Sequence, residues 1–344
     1  MREIRQISRR RAGIQGRSSR NTRYLHGLLA LVMVGAATAG CGSGGGQQAA
    51  SPSARESAGS PTVVVAAVPA PGAAALYLAE QRGFFSRAGL HVRIESSVSA
   101  SKVLPDLVNG SVSVALGQWT SALAAAAAGV KLTVIAPGNS GGPGLEEIVT
   151  FPGSGITRLS QLRGKVVAVN ALAGLPQALT DSVLAAHGIT ASAVRFVPVP
   201  FPDMATALAA HRVAAAFMVS PYLEEAGKVR VLADIDAVPV IRGIPVTGYY
   251  ASQAWAAAHA AQLAAFGKAL AQGQRIAVSD PAAARRAIVA YTGVSAKVAA
   301  AMPLGTYPAS VSAADLSRVG TLMQRYGLLR ASANVGALAR GMTS

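Results

Sequence analysis

Short apolar runs alternate with longer amphipathic segments along the chain from Thr62 onward. Continuous or alternating apolar residues over four to eight positions are typical of strands, and apolar residues at helical spacing are typical of helices. The predicted strands are TVVVAAV (62–68), LHVRIES (90–96), SVSVAL (111–116) and KLTVIAP (131–137), with helices GAAALYLAEQRG (72–83), SKVLPDLVNG (101–110) and WTSALAAAAAG (119–129) between them. This order predicts an α/β fold of mostly parallel sheets with helices on both faces.

A second set of elements repeats the pattern after residue 145. Its apolar segments are LEEIVTF (145–151), KVVAVNA (165–171), AVRFVPV (193–199) and VAAAFMV (213–219), with helices LPQALTDSVLAAHG (175–188) and MATALAAHR (204–212). Pro176 near the start of the first of these helices and Gly188 at its end are the expected helix punctuation. Beyond Tyr250 the pattern is predominantly helical. The folded part exceeds one typical domain, which indicates two lobes.

The first forty residues have the layout of an export signal. Met1–Arg23 carries eight arginines and one glutamate, and Tyr24–Gly40 carries no charge. The apolar run LLALVMVGAATAG is short for a spanning helix and ends in small residues, as at a peptidase site. Residues 1–40 are therefore predicted to be a signal peptide.

Cys41, the sole cysteine, directly follows Thr38, Ala39 and Gly40. This stretch resembles the lipobox of bacterial lipoproteins, although that family prefers leucine where Thr38 stands. The resemblance implies lipidation of Cys41 and anchoring to the extracytoplasmic face of the membrane. The alternative is a secreted protein with an incidental cysteine. Residues 41–61 are rich in Gly, Ser, Ala, Gln and Pro, which predicts a flexible tether.

The net charge falls by nearly half once the signal is set aside. The first forty residues account for +7 of the formal +16, so the rest of the chain carries +9. The remaining Lys and Arg are scattered among alanines with few aromatic residues between them. This distribution favours a solvated basic surface over nucleic-acid binding.

Four segments together resemble a known family. They are AEQRGFFSRAGLHVRI, LVNGSVSVALGQWTSALAAAAAGVKLTVIA, LSQLRGKVVAVN and ALAAHRVAAAFMVSPYLEEAG. In this order they look like the extracytoplasmic solute-binding proteins of ABC importers in the nitrate, sulfonate and taurine group, whose relatives include thiamine-pyrimidine binders. The resemblance implies a two-lobed, type II periplasmic-binding-protein-like fold that delivers a small solute to a permease and ATPase. It places lobe I at 62–151 plus 247–344 and lobe II at 152–246, with two crossing strands as a hinge.

Candidate ligand-binding residues follow the predicted strands. Ligands of open α/β sheets bind outside the carboxyl ends of the strands, where helix starts present unpaired N–H groups. The residues at these turns are Pro71, Gly72, Gln118, Trp119, Thr120, Asn139, Asn170, Ser220 and Tyr222. We hypothesise that Gln118 and Asn170 donate hydrogen bonds from opposite lobes.

Structural roles are the alternatives for several of these residues. Thr120 and Ser220 have the residue types that cap helices, and Asn139 suits a turn. Trp119 either fills a gap in the core or forms an apolar wall of the pocket. These readings stay open at the level of sequence.

The ligand class is weakly indicated. Relatives often carry an acidic residue at the position of Ser220, so a partner for an amine or aminopyrimidine is missing there. No Lys or Arg lies in the four turns at 69–72, 117–120, 170–174 and 220–222. An anion would therefore depend on neutral donors and helix starts. We favour a small organic anion, such as a sulfonate, taurine or nitrate, over a neutral heterocycle.

Catalytic and metal-binding patterns are weak in the sequence. No H-x-x-x-H or C-x-x-C arrangement occurs. The segment GNSGG (138–142) matches G-x-S-x-G, but the next predicted element is the strand LEEIVTF and not the helix that a nucleophile elbow requires. The expectation is a binding protein rather than an enzyme, with no metal, no cofactor and a monomeric state. A sensory lipoprotein with the same cleft is the alternative that sequence does not separate from a transport subunit.

Overall fold

The computed structural model describes residues 62–96, 100–172 and 174–343. Residues Glu56–Ser344 form one compact unit. The predicted signal peptide, Cys41 and the tether lie outside the described residues. None of the helices in the described ranges has the length and apolar character needed to cross a bilayer.

Strands and helices alternate as the sequence pattern predicts. The described strands are β1 (Thr62–Ala67), β2 (His91–Ser96), β3 (Val114–Gln118), β4 (Leu132–Pro137), β5 (Glu146–Thr150), β6 (Val166–Val169), β7 (Arg195–Pro198), β8 (Ala215–Val219), β9 (Arg230–Asp234) and β10 (Thr247–Ser252). The described α-helices are α1 (Ala74–Gln81), α2 (Phe84–Arg87), α3 (Ala100–Asn109), α4 (Trp119–Ala127), α5 (Leu175–Ala186), α6 (Phe201–Ala209), α7 (Tyr222–Glu225), α8 (Gln253–Ala258), α9 (Ala260–Ser279), α10 (Pro281–Thr292), α11 (Ala296–Ala301), α12 (Ala313–Arg325) and α13 (Val335–Thr343).

One strand begins later than predicted. The pattern SVSVAL predicts a start at Ser111, but β3 starts at Val114. The reason is a turn: Oδ1 of Asn109 accepts hydrogen bonds from the backbone N–H and the hydroxyl of Ser111. As a consequence β3 extends to Gln118 and α4 begins directly at Trp119.

Two five-stranded sheets form the framework. The first has the order β2-β1-β3-β10-β4 and the second the order β7-β6-β8-β5-β9. We call residues 62–137 and 247–343 the first lobe, residues 146–234 the second lobe, and residues 138–145 and 235–246 the hinge connections. Helices α1 and α4 of the first lobe and α5 and α6 of the second follow strands of their own sheets, as in the predicted α/β class.

One strand of each sheet runs against the others. β10 and β5 are antiparallel to their neighbours, whereas the other four strands of each sheet share one direction, so the sheets are mostly parallel, as predicted, with one reversed strand each. Each reversed strand follows a hinge connection and therefore enters its sheet from the end at which the other strands finish. Because β5 pairs in the second sheet, the predicted lobe boundary after Phe151 is wrong, and the first crossing lies at residues 138–145.

Apolar residues pack on both faces of each sheet. On one face of the first sheet, Phe85 stacks on Phe266 with ring centroids 5.1 Å apart. On the other face the core contains Trp119 and continues to Ile148 of the second lobe. The last helices carry apolar residues at helical spacing: Phe266, Leu270, Leu316, Val319 and Met323 are buried, and Leu263 and Tyr326 are half-buried. Burial of this apolar surface is the main favourable contribution to folding.

Candidate functional site

The two hinge connections bring the carboxyl ends of the sheets together. Strands β1, β3 and β4 finish at this edge in the first lobe, and β6, β7, β8 and β9 finish there in the second. We call the region between these strand ends the cleft. Crevices of this kind are where ligands bind to open α/β sheets, because helix N-termini point into them.

On the first lobe, Gly72, Asn139 and Thr247 meet in one polar cluster. The Thr247 hydroxyl donates to Oδ1 of Asn139 over 2.6 Å and accepts from the Asn139 backbone N–H at 3.1 Å. Gly72 lies so close that a Cβ atom there would be 2.5 Å from Oδ1 of Asn139. The Asn139 side chain therefore holds the hinge to the start of α1, which is a structural role alongside the predicted one.

Two distant tyrosines fix the loop that carries Pro71 and Gly72. The Tyr307 hydroxyl donates to the Pro71 carbonyl over 2.9 Å, and the Tyr291 hydroxyl donates to the Ala70 carbonyl over 2.8 Å. Burial raises the pKa of both phenols, so they remain protonated donors at neutral pH. Sequence reasoning missed both residues, because no local pattern connects them to a turn more than two hundred residues earlier.

Gln118, Trp119 and Thr120 lie at the start of α4. Gln118 is the N-cap residue, but its side chain makes no capping hydrogen bond. Thr120 is buried at the second helical position and is not the cap. Gln118 is half-buried at the carboxyl end of β3, which finishes at the cleft.

Trp119 is fully buried and has two roles. Its indole covers Gly248 and lies 6.2 Å from the ring of Tyr250, so it fills the gap above β10. It also lines a cavity of about 180 Å³ beside the hinge, together with Ser140, Thr247 and Thr306. Its Nε1 atom has no hydrogen-bond partner among the described residues. A buried N–H without a partner is uncommon and favours a polar group nearby in a liganded state.

The second lobe contributes Asn170, Ser220 and Tyr222. Asn170 follows β6, and its buried Oδ1 has no partner in the part of the chain described. The Ser220 hydroxyl donates to Oε1 of Glu224 over 2.8 Å, and Pro221 is the residue before α7, so Ser220 is not its N-cap. The Tyr222 ring stacks on Phe201 at 5.5 Å.

Three carboxyl groups sit at the hinge end of the second lobe. Glu146 is the first residue of β5, pairs with the end of β8 and is only 8% exposed. Burial, then the charges of Asp236 and Asp234, raise the pKa of Glu146 from 4.5 to about 7. The two aspartates hold the hinge: Asp234 accepts from the Gly144 N–H and Asp236 from the Gly243 N–H, at 3.0 and 2.7 Å.

The structure therefore brings the predicted residues to one edge but assigns them different tasks. Asn139 and Ser220 are engaged with protein partners, whereas the amides of Gln118 and Asn170 retain hydrogen-bonding capacity. Within the described ranges, no group of three or more His, Cys, Asp or Glu residues is arranged to hold a metal ion.

The comparison with known families agrees with this geometry. The profile of the NMT1/THI5 like family matches residues 70–284, a range that includes β2 to β10 and both hinge connections. The chain belongs to the NMT1/THI5-like family. No curated protein sequence matches this NMT1/THI5-like chain significantly.

Solved structures share the fold of this NMT1/THI5-like protein at low sequence identity. The periplasmic aliphatic sulphonate binding protein SsuA from Escherichia coli has a TM-score of 0.68 and 18% identity, with 82% of this chain and 92% of that chain covered. The alkanesulfonate-binding protein SsuA from Xanthomonas axonopodis pv. citri, bound to MOPS, has a TM-score of 0.65 and 19% identity, with 80% and 97% covered. The nitrate-binding protein NrtA from Synechocystis PCC 6803 has a TM-score of 0.69 and 14% identity, with 82% and 86% covered. The two-lobed periplasmic-binding-protein-like fold class is thus confirmed.

Proposed function

We propose that the protein is the solute-binding component of an ABC import system, which captures a small molecule in the cleft and delivers it to a permease. The observation that carries this proposal is the pair of amides at Gln118 and Asn170, which stand at the carboxyl ends of β3 and β6 in different lobes. Solved structures of the same fold include proteins described as sulfonate-binding and nitrate-binding. Binding without bond chemistry is consistent with strand ends that carry neutral amide side chains.

Lobe closure is the mechanism that this architecture supports. The lobes are connected by residues 138–145 and 235–246, which are the segments able to absorb a hinge motion. A solute that contacts both lobes stabilises the closed arrangement by its differential affinity for that state. In the closed arrangement the two lobes have one fixed relative orientation, which the permease recognises.

A small organic anion, such as a sulfonate, taurine or nitrate, is the ligand class that we propose. Helices α4 and α5 both begin at the cleft, and the positive ends of their dipoles attract negative charge. The carboxyl groups of Glu146, Asp234 and Asp236 favour a second candidate, a neutral or amine-bearing heterocycle. An anion would therefore have to lie toward α4 and α5, away from these three carboxyl groups.

Lipidation at Cys41 and attachment to the extracytoplasmic face of the membrane belong to the same proposal. The layout of the first forty residues and the small residues before Cys41 support it. More than one acyl chain gives stable attachment, and the tether at 41–61 would leave the folded unit free to reach a permease. A monomer is sufficient for this role, because the cleft is formed within one chain.

A thermal-shift screen tests the proposed function. The chain from Glu56 to Ser344 is suitable, because it forms one compact unit that contains both sheets. Taurine, short alkanesulfonates, nitrate, pyrimidines and thiamine are the probes. A ligand at a hundredfold excess over its Kd is expected to stabilise the fold by about 2.7 kcal/mol. If none of these probes shifts the unfolding temperature, or if a probe is chemically converted, the proposal is wrong.

Alanine at Gln118 or at Asn170 is expected to weaken binding of the solute found in that screen about tenfold each. The loss of one hydrogen bond to a ligand costs about 1 to 2 kcal/mol, which corresponds to that factor. Calorimetric titration measures the change. Gln253→Ala is the matched control, because Gln253 is exposed at the far end of β10. Unchanged affinity in both cleft variants would reject the assignment of these two amides.

A further inference from the structure

The charges of the second lobe are divided between its two ends. The second lobe and the hinge connection after it contain eight acidic residues. These lie at the cleft-side ends of strands, on α5, α6 and α7, and in the hinge connection: Glu146, Glu147, Asp181, Asp203, Glu224, Glu225, Asp234 and Asp236. The four segments at the opposite end of the sheet, residues 151–165, 185–195, 209–214 and 226–230, contain no Asp or Glu. They do carry seven Lys or Arg residues.

These basic residues line one continuous edge. The connection from β5 to β6 carries Arg158, Arg163 and Lys165, all exposed. Arg195 begins the neighbouring strand β7, and its backbone N–H donates to the Lys165 carbonyl over 2.9 Å. The cations of adjacent segments therefore project from adjacent strand ends.

The edge continues across the other three strands. Ala214, just after Arg212, donates its N–H to the Val166 carbonyl and accepts from the Thr150 hydroxyl. Thr150 in turn pairs with Arg230, the first residue of β9. Five strands at ordinary spacing span about 20 Å. We call this surface, from Arg195 to Arg230, the basic edge.

The cations of the basic edge are not neutralised within the protein. The two ion pairs among the described residues are Arg93 with Glu95 and Arg286 with Asp280, and both belong to the first lobe. Arg163 donates to a backbone carbonyl, that of Gly188, and not to a carboxylate. Seven like charges on one face repel one another, and this repulsion destabilises the folded state. A surface of opposite charge would relieve the repulsion.

We propose that the basic edge docks on an anionic phospholipid surface. The inference rests on the extracytoplasmic membrane location in the proposed function. Clusters of four to eight Lys or Arg residues bind anionic headgroups at about 1 kcal/mol each, and the basic edge has that number. It lies opposite the cleft, so docking leaves the solute entrance open. It offers no exposed Phe, Trp or Tyr for base stacking, which disfavours a single-stranded nucleic acid.

Vesicle co-sedimentation of the chain from Glu56 to Ser344 tests the docking surface. Vesicles of phosphatidylcholine with about 30% phosphatidylglycerol are expected to retain the protein, and pure phosphatidylcholine is not. Raising the salt to about 0.5 M is expected to abolish retention, since the interaction is screened. The variant K165Q/R195Q/R212Q/R230Q is expected to lose at least about tenfold in partition coefficient.

A control with the same charge change separates the basic edge from net charge alone. The variant K268Q/R275Q/R325Q/R330Q removes four exposed cations of the first lobe. Equal loss in both variants, or retention by neutral vesicles, would overturn the proposal. Tighter, edge-dependent retention by duplex DNA than by anionic vesicles would overturn the lipid assignment. The solute screen tests the cleft, and vesicle binding tests the basic edge of the same protein. A protein that binds a solute but no vesicles would contradict docking alone. A protein that binds vesicles but no solute would contradict the proposed function alone.

Discussion

Gly248→Ala is expected to lower the free energy of unfolding by about 3 kcal/mol. Gly248 lies on β10 directly beneath Trp119, and a Cβ atom there would overlap the indole ring. Trp119 is fully buried, and its backbone N–H is held by the Val246 carbonyl at 3.1 Å, which ties the start of α4 to the second hinge connection. The added methyl group must displace β10 or α4, and both lie at the cleft.

Gly267→Ala is the matched control for this substitution. Gly267 lies inside α9, and the nearest atom to a Cβ there is 3.8 Å away, on Ile135. Replacing glycine by alanine in a helix with free space stabilises by about 1 kcal/mol. Urea unfolding measures both variants. If Gly248→Ala is as stable as wild type, the close packing of Trp119 on β10 described above is wrong.

A fall in stability between pH 5 and pH 7 is the second large effect that we expect. Glu146 has an ordinary pKa of 4.5 in the unfolded chain and a pKa of about 7 in the folded one, because of burial and then the charges of Asp236 and Asp234. The folded state thus binds more protons than the unfolded state in this window, so stability decreases as pH rises and stays low above pH 7. The shift corresponds to about 3 kcal/mol.

Glu146→Gln is expected to remove this part of the pH dependence. Glutamine has the shape of the protonated acid, so the variant gains up to about 3 kcal/mol at pH 8 and little at pH 5. Burial also raises the pKa of Glu147 to about 7 and that of Asp181 to about 6, so a smaller slope persists. Glu80→Gln, on the exposed face of α1, is the control. Parallel pH profiles for wild type and Glu146→Gln would contradict this account of the hinge.

Whether a segment forms a helix or a strand could largely be predicted from the sequence, because the local pattern of apolar residues determines it. The apolar run at 62–68, the alternation at 90–96 and the Pro176 and Gly188 punctuation of α5 all correspond to elements in the structure. The path of the chain was less accessible. The segment LEEIVTF has the same pattern in either lobe, and only its pairing with β8 and β9 places it in the second sheet.

The candidate site was predictable to the same extent. The turns after β1, β3, β4, β6 and β8 were located correctly, since ligand-facing turns follow strand ends. The partners of those turns were not, because Thr247, Tyr291 and Tyr307 come from segments far along the chain. In the sequence, Glu146 and Glu147 are typical of a solvated pair at the end of an element, whereas Glu146 is buried in the structure. The burial of Glu146 depends on the hinge connections, and no local sequence pattern predicts where these lie.

Ligand-induced closure of the two lobes is the most direct test of the central claim. The chain from Glu56 to Ser344 contains no cysteine, because the sole one is Cys41. Cysteines introduced at Ala186 in α5 and Ala264 in α9, both exposed, would carry one spin label on each lobe. Addition of the solute from the thermal-shift screen is expected to narrow the distance distribution between the labels and to move its mean. A distribution that does not change when the solute saturates the protein would contradict a two-lobed clamp.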